Sequence, residues 1–547
     1  ERVLHDMTLK VAEFEGDLTE IAANIERAIK AVWYKEAEND GYNRLALFAA
    51  MSWDNIAIIR ALSRYLKQTD ITYSQRYMWE TLSKHRRTAK AIVDLFHARH
   101  NPNFNGDAQL VEQKARETIR ATLEQITSLD DDTIFRRFVN LVDSSLRNNF
   151  FQRPNGARRP ALAIKFDASK VKGLPDPRPF REIFVYSPRV EGVHLRGGMI
   201  ARGGLRWSDR PEDFRTEVLG LVKAQMVKNA VIVPVGAKGG FVPKQMPTNP
   251  TREEFMAEGT ASYKIFIGSL LDITDNLDVD EIVPPENVNR LDGDDPYLVV
   301  AADKGTATFS DTANAISEER NFWLGDAFAS GGSVGYDHKK MGITARGGWE
   351  AVKRHFREMD HDIQTQPFTA VGVGDMSGDV FGNGMLLSDQ TKLIAAFDHR
   401  DIFIDPNPDP ASSYAERKRL FEMGRSSWQD YDQSKLSAGG GIYPRSSKSI
   451  TLSAEAKAAL GVEQNEISPN DLMQSILKAK ADLLWFGGIG TYVRATTESN
   501  ADAGDRANDA IRITGKEVGA KVIGEGANLG ITQLARVEFD QNGGRIN

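Results

Sequence analysis

The side chains best suited to chemistry lie in one stretch, residues 202–240. It runs from Arg202-Gly203-Gly204-Leu205-Arg206-Trp207 to Gly236-Ala237-Lys238-Gly239-Gly240. Glycine lets a backbone turn tightly and a ligand come close, so Lys238 is expected to sit enclosed and partly desolvated. Desolvation lowers an ammonium pKa toward neutrality. A lysine of that kind can exchange protons or polarise a carbonyl.

Between the glycine pairs the pattern predicts a helix capped by Ser208 or Asp209, with Pro211 in its first turn and Glu212 and Asp213 at its positive end. Phe214, Val218, Leu221, Gln225 and Lys228 share one face at helical spacing, while Lys223 points to solvent. A stripe that begins apolar and ends in an amide and an ammonium suits an anionic ligand. A strand over 231–233 would then deliver Lys238 to the same place. An ordinary helix–turn–strand whose lysines reach water accounts for the pattern equally well. Further on, the apolar run 297–302 reads as a buried strand ending at Asp303. Ligands gather at such strand ends in α/β proteins, although position alone favours a loop cap.

A second group of residues suits a dinucleotide. Residues 368–371 read as a strand, followed by Gly372-Val373-Gly374-Asp375-Met376-Ser377-Gly378 and a helix carrying Met376, Val380 and Leu387 on one stripe. Glycines there admit a pyrophosphate to the backbone at a helix N-terminus. The spacing is GxGxxxG, a departure from GxGxxG. The strand 393–397 ends at Asp398, 26 positions after Gly372, where an acid binds ribose hydroxyls and repels a 2′-phosphate. Arg400 leaves NADP open, and Asp405 reads as a turn residue.

The elements that must position these groups follow from the rest of the chain. At 547 residues it holds three to four domains' worth of core by the usual size scaling. Residues 1–150 read as helices, with apolar stripes such as Leu4, Met7, Val11, Phe14 and Leu18, and later Leu47, Met51, Ile56, Ile59 and Leu62. His5, His85, His97 and His100 have no metal-site spacing and read as surface or capping residues. Strand character starts at Ala161. Thr251 and Glu254 form a capping box for a helix that turns Phe255, Tyr263, Phe266 and Leu270 inward. Residues 406–470 are rich in Pro, Ser and Gly, and 439–441 read as a flexible loop able to act as a lid. Two more strands end in 487–491 and 524–528.

The net charge of −7 argues against general nucleic-acid affinity and gives no membrane-binding signal. No apolar run reaches the length of a spanning helix, and no signal peptide pattern opens the chain. The absence of cysteine rules out disulfides and thiolate chemistry and is compatible with cytosol. A helical pattern at Glu1 and a strand-like context at Asn547 lead us to expect a piece of a longer polypeptide. A P-loop is excluded, because Gly-Ala-Lys-Gly-Gly lacks the Ser or Thr that follows Gly-Lys there.

The motif GGLRWS…QMVKNAV…PVGAKGG resembles the amino-acid dehydrogenases of the glutamate, leucine, phenylalanine and valine type, above all the large NAD-dependent glutamate dehydrogenases of bacteria. Recognisable motifs cover about residues 185–535. The resemblance implies an α/β protein: a helical module (1–160), a mixed-sheet substrate domain (161–345) and a Rossmann-like NAD-binding domain (346–547). It implies that Lys238 and Asp303 are catalytic and that Gln225 and Lys228 hold the substrate α-carboxylate. Arg202 stands where smaller members carry a lysine for the side-chain carboxylate. Thr344, Gly372, Gly374, Asp375, Met376, Gly378, Asp398 and Asn528 fall at cofactor positions. A tyrosine–aspartate–histidine segment replaces an arginine of the smaller members, and His338 reads as structural or exposed. The implied activity is NAD-dependent oxidative deamination of L-glutamate to 2-oxoglutarate and ammonia by a cytoplasmic homo-oligomer. A serine completing the pocket should lie beyond Asn547. The rivals are a dehydrogenase for an apolar amino acid, which Arg202 disfavours, and a silent NAD-sensing or assembly subunit, which an intact Lys238 and Asp303 disfavour.

Overall fold

The computed structural model describes residues 18–226, 235–302, 306, 308–333, 335, 337–423, 426–488, 490–527 and 529–546. They group into two compact units, 18–223 with 235–335 and 224–226 with 337–546. The architecture is α/β, as the motifs imply. Among the described residues no helix is long and apolar enough to cross a membrane.

The first unit opens with α1 (Leu18–Trp33), α2 (Arg44–Phe48), α3 (Trp53–Lys67), α4 (Gln75–Lys84), α5 (Arg86–His100), α6 (Ala108–Gln125) and α7 (Leu129–Ser144). The stripe residues 4–14 lie outside the described residues. Ile56, Ile59, Leu62 and Phe138 share one core with Phe166, Phe184 and Leu195, so the helices cover a sheet face rather than fold around a core of their own. Tyr65 stacks on Phe166 at 4.6 Å between ring centroids. Two histidines depart from the surface reading. His100 is buried and hydrogen-bonds Ser145 at 2.6 Å; burial first, then Arg99, lowers its pKa to about 3. His97 is half-buried against Asn55, 2.8 Å away, and burial lowers its pKa to about 4. Apolar positions on the same helices draw both rings inward.

The sheet is built from β1 (Ser145–Asn148), β2 (Leu162–Phe166), β3 (Arg181–Tyr186), β4 (Val190–Arg196) and β5 (Ala201–Trp207). Then come α8 (Phe214–Met226), β6 (Val235–Pro243), α9 (Arg252–Leu271), a hairpin of β7 (Asn276–Asp278) and β8 (Glu281–Val283), β9 (Val299–Ala302), α10 (Ser310–Glu319) and β10 (Ala329–Ser330). Strand order is β1-β2-β3-β4-β6-β5-β9-β10. The pairs from β1 to β6 are antiparallel, and β6, β5, β9 and β10 are mutually parallel. The helix α9 starts at the expected capping box, with Thr251 and Glu254 bonded reciprocally. Tyr263, Phe266 and Leu270 are buried, whereas Phe255 is exposed and stacks on Trp207 at 4.5 Å.

The second unit comprises α11 (His338–Met341), α12 (Ile343–Arg357), β11 (Phe368–Val373), α13 (Asp379–Gly384), β12 (Thr391–Phe397), β13 (Asp401–Ile404), α14 (Pro410–Glu422) and β14 (Gly441–Pro444). It continues through β15 (Ile450–Thr451), α15 (Ala454–Leu460), β16 (Glu466–Ile467), α16 (Pro469–Lys478), β17 (Leu483–Phe486), β18 (Val493–Arg494), α17 (Asn500–Ala503), β19 (Ile513–Thr514), β20 (Val522–Glu525) and α18 (Gln533–Gln541). Its main sheet runs β14-β13-β12-β11-β17-β20. The strands β12, β11, β17 and β20 are parallel, and β13 is antiparallel to its neighbours. The triple glycine 439–441 is no loose lid. Ser453 Oγ donates to the Gly439 carbonyl at 2.9 Å, and Gly441 begins β14.

Candidate active site

In the first unit the glycine-flanked lysine is a strand residue. Lys238 lies inside β6, half-buried, opposite Leu195 of β4, which in turn lies opposite Glu182 of β3. The turn expected from the glycines is absent. Gly239 and Gly240 serve packing instead, since a Cβ would come within 2.4 Å of Leu205 Cδ2 and 2.7 Å of Val218 Cγ2. The register Arg202↔Gly236 and Leu205↔Gly239 places Gly204 opposite Lys238 and puts Arg202 on the same sheet face, one side-chain position back. That face carries α8, because Arg206 pairs with Glu217 at 2.9 Å and Arg215 with Glu182 at 2.7 Å. Between Arg202 and Lys238 the two backbones nearly touch. A Cβ at Gly203 would lie 1.6 Å from the Ala237 carbonyl oxygen.

The helix α8 begins later than the cap signals imply. Ser208 does not cap it; its hydroxyl donates to Glu217 at 2.6 Å. Phe214 and Val218 are buried and Gln225 is half-buried, with Oε1 buried and unbonded among the described residues. Lys228, the strand 231–233 and Asp303 lie outside the described residues. The strand β9 that leads to Asp303 pairs with β5 as far as Leu205↔Ala302. Arg202, expected in a buried pocket, is exposed.

In the second unit the glycine loop follows β11, where the chain leaves to β12 on one side and β17 lies on the other. Such switch points open a crevice at the strands' carboxyl ends. The strands β11, β17 and β20 each run into a glycine against which α13 packs. A Cβ at Gly374 or Gly487 would lie 2.6 Å from Phe381, and one at Gly526 would lie 2.3 Å from Val380 Cγ1. Gly374 also has φ +141, which only glycine adopts at low cost. The helix α13 is six residues long, so Met376 and Leu387 fall outside the expected stripe. Met376 is buried in the core and offers a ligand only its backbone.

Asp375 Oδ1 accepts from the backbone N–H of Ser377 at 2.7 Å and of Gly378 at 3.1 Å. Those amides, expected to face a pyrophosphate, are engaged by the chain's own carboxylate. Asp398 is buried, and its Oδ1 accepts from Arg400 N at 2.8 Å and Asp401 N at 2.7 Å. Its Oδ2 has no hydrogen bond among the described residues, with Arg400 Nε 3.6 Å away. Burial, then the neighbouring Asp375 carboxylate, pushes the Asp398 carboxyl pKa up. Buried polar atoms without partners are rare, and the basic groups beside this oxygen are Arg400 Nε and His399 Nδ1, the latter 3.9 Å away. Glycines after the parallel strands and a buried carboxylate oxygen without a hydrogen bond are features that a dinucleotide site uses. Asp405 is more than a turn residue: buried, it accepts from Ser437 N at 3.0 Å. Asn528 lies outside the described residues.

Thr344 sits in the first turn of α12, half-buried, with its Oγ1 3.1 Å from His338 Nε2. His338 Nδ1 is hydrogen-bonded to Asp379 Oδ2, and Lys339 Nζ donates to the Ser377 carbonyl at 2.8 Å. Nothing local in the sequence marked this triad. A profile of the family described as "Bacterial NAD-glutamate dehydrogenase, catalytic domain" matches residues 118–547. The chain belongs to that family. A second profile, glutamate dehydrogenase helical motif 3, matches residues 37–102. The NAD-specific glutamate dehydrogenases of Mycobacterium tuberculosis and Pseudomonas aeruginosa are 56% and 54% identical over 99% and 100% of this chain. The chain spans about a third (34%) of the length of each of these curated relatives. In this bacterial NAD-glutamate dehydrogenase family member the helical-motif profile covers α2–α5 and the catalytic-domain profile covers α7.

Proposed function

We propose that the chain carries the catalytic core of an NAD-dependent glutamate dehydrogenase, converting L-glutamate to 2-oxoglutarate and ammonia and the reverse. The observation that carries this reading is the pair Arg202 and Lys238, held on one sheet face by adjacent parallel strands. Family membership supports it. In this reading residues 161–345 bind substrate and residues 346–547 bind NAD. Arg202 takes the side-chain carboxylate, and Gln225 and Lys228 take the α-carboxylate. NAD, held through Asp398 and the glycine loop, would supply the acceptor for the hydride of the substrate α-carbon. Asp303 takes a proton from the substrate nitrogen. Lys238 activates the water that adds to the resulting imine and steadies the carbinolamine oxygen until ammonia leaves. Positioning and charge stabilisation supply most of the rate in such sites. The ribose hydroxyl contact falls to Asp398, which favours NAD over NADP. A cytoplasmic homo-oligomer completes the proposal.

The test is NADH formation, followed by absorbance, with L-glutamate, L-leucine and L-phenylalanine on the chain extended to its full C-terminus. Glutamate should exceed both by orders of magnitude. Equal or greater turnover of leucine or phenylalanine would reject the substrate assignment. NADH binding without turnover of any of the three would point to a silent subunit. Light scattering on the same sample reads the oligomeric state.

A further inference from the structure

We propose that His338, held by Asp379, is a positioning residue that makes the Thr344 hydroxyl an acceptor for the nicotinamide carboxamide. This rests on the reading of Thr344 as a nicotinamide contact. A carboxylate only accepts hydrogen bonds, so the bond to Asp379 Oδ2 requires the hydrogen on His338 Nδ1. In the neutral ring Nε2 is then an acceptor, and which nitrogen is protonated is set by the bond the other makes. Thr344 Oγ1, 3.1 Å from Nε2, must donate its hydrogen to the ring. Its lone pairs are what remain to face a ligand. A primary carboxamide offers N–H donors, so a hydroxyl fixed as acceptor selects the amide end and sets the ring's orientation.

Asp379 is itself fixed. Asn383 Nδ2 donates to its Oδ1 at 2.9 Å and to the Lys339 carbonyl at 2.8 Å. Thr344 stands beside the glycine that follows β20, for a Cβ at Gly526 would lie 3.4 Å from Thr344 Cγ2. The same residues also tie 337–344 to the glycine loop, so a purely architectural role for His338 must be separated by measurement.

The experiment measures binding by calorimetry for NAD and for its 3-acetylpyridine analogue, in which a methyl replaces the carboxamide NH2. Four forms of the protein are compared: wild type, Thr344→Val, His338→Ala and Asp379→Asn. His338→Ala is expected to weaken NAD about three- to tenfold, the range of one hydrogen bond, and the analogue less than about twofold. Asp379→Asn can donate to Nδ1 and so reverse the ring's polarity. It should shift preference toward the analogue without lowering the melting temperature, and it keeps the test open if His338→Ala folds poorly. Equal weakening of both ligands by His338→Ala would assign it to loop architecture and overturn the proposal. So would an unchanged ligand preference in both the His338 and Asp379 variants while Thr344→Val still discriminates, which leaves the Thr344 contact standing. Failure of Thr344→Val to discriminate would remove that contact and the relay together.

Discussion

The two units handle buried charge in opposite ways. In the first, cations are paired off inside the protein: Arg147 with Asp275 at 2.9 Å, Lys165 and Arg196 with Asp295 at 2.7 Å, and Arg215 with Glu182 at 2.7 Å. In the second, two buried carboxyls are left short of partners. Asp398 and Asp405 each keep a buried Oδ2 without a hydrogen bond among the described residues, and burial raises both pKa values. Those buried cations of the first unit are neutralised within the protein, whereas Asp398 and Asp405 each keep an oxygen that no donor among the described residues meets.

The largest expected effect comes from Lys238. Lys238→Ala should lower turnover by about 10²–10⁴, the usual worth of a general acid–base group, with NADH affinity unchanged by calorimetry. Lost affinity would mean Lys238 belongs with the buried ion pairs. Next are those pairs themselves. Glu182→Ala strands Arg215 and should cost about 3–5 kcal/mol in denaturant unfolding, while Glu182→Leu with Arg215→Met should recover most of it. No recovery would mean the pair does more than neutralise itself. Arg202 is exposed, so Arg202→Ala should leave stability unchanged. It should lower kcat/KM for glutamate about ten- to a hundredfold, for one charged hydrogen bond of about 1.5–3 kcal/mol, and hardly affect 2-aminobutyrate.

In the second unit the comparison inverts. Asp398→Ser should weaken NAD about tenfold for one lost bond of roughly 1.4 kcal/mol and narrow the gap to NADP. Melting temperature should hold or rise, because a carboxyl with a raised pKa does not stabilise the fold at neutral pH. A fall in melting temperature would place Asp398 with the structural pairs.

Acid supplies the smallest effect and acts with opposite sign on two sets of buried groups. Burial would raise the Asp295 carboxyl, but Arg196 and Lys165 outweigh it and hold it at about 2. Its stabilisation is complete above the unfolded value near ~4 and is lost as pH falls toward about 2. His100 and His194, each lowered to about 3 chiefly by burial, add losses below an unfolded value of roughly 6.5. Protonation of Asp398 and Asp405 works the other way, favouring the fold as pH drops through their raised values. Hydrogen exchange across this range should show the first unit opening first, and simultaneous opening would mean these groups do not govern acid stability.

What was legible in the sequence was local. Thr251 and Glu254 are three residues apart and satisfy each other whatever surrounds them. The strands before Gly372 and Asp398 announced themselves by apolar runs. What was not legible depends on distant chain. Lys238 reads as a turn residue because the atoms that demand its glycines, on Leu205 and Val218, are far off in sequence. The early end of α13 and the burial of His100 have the same origin. The triad Asp379–His338–Thr344 was invisible because 41 positions separate the histidine from its carboxylate.

The near-contact between Gly203 and the Ala237 carbonyl has one more consequence. It removes the slack between two neighbouring strands, so Arg202 and Lys238 cannot drift apart or together independently. Under the proposed function they are the jaws of a caliper whose opening is set by the diagonal between adjacent strands, about 7–8 Å, and not by any loop. Such a gauge measures a ligand's length. A substrate one methylene shorter or longer than the fitting one would keep its charge and still miss a jaw. Retuning the gauge would require resizing the side chain at 202, since the backbone cannot yield.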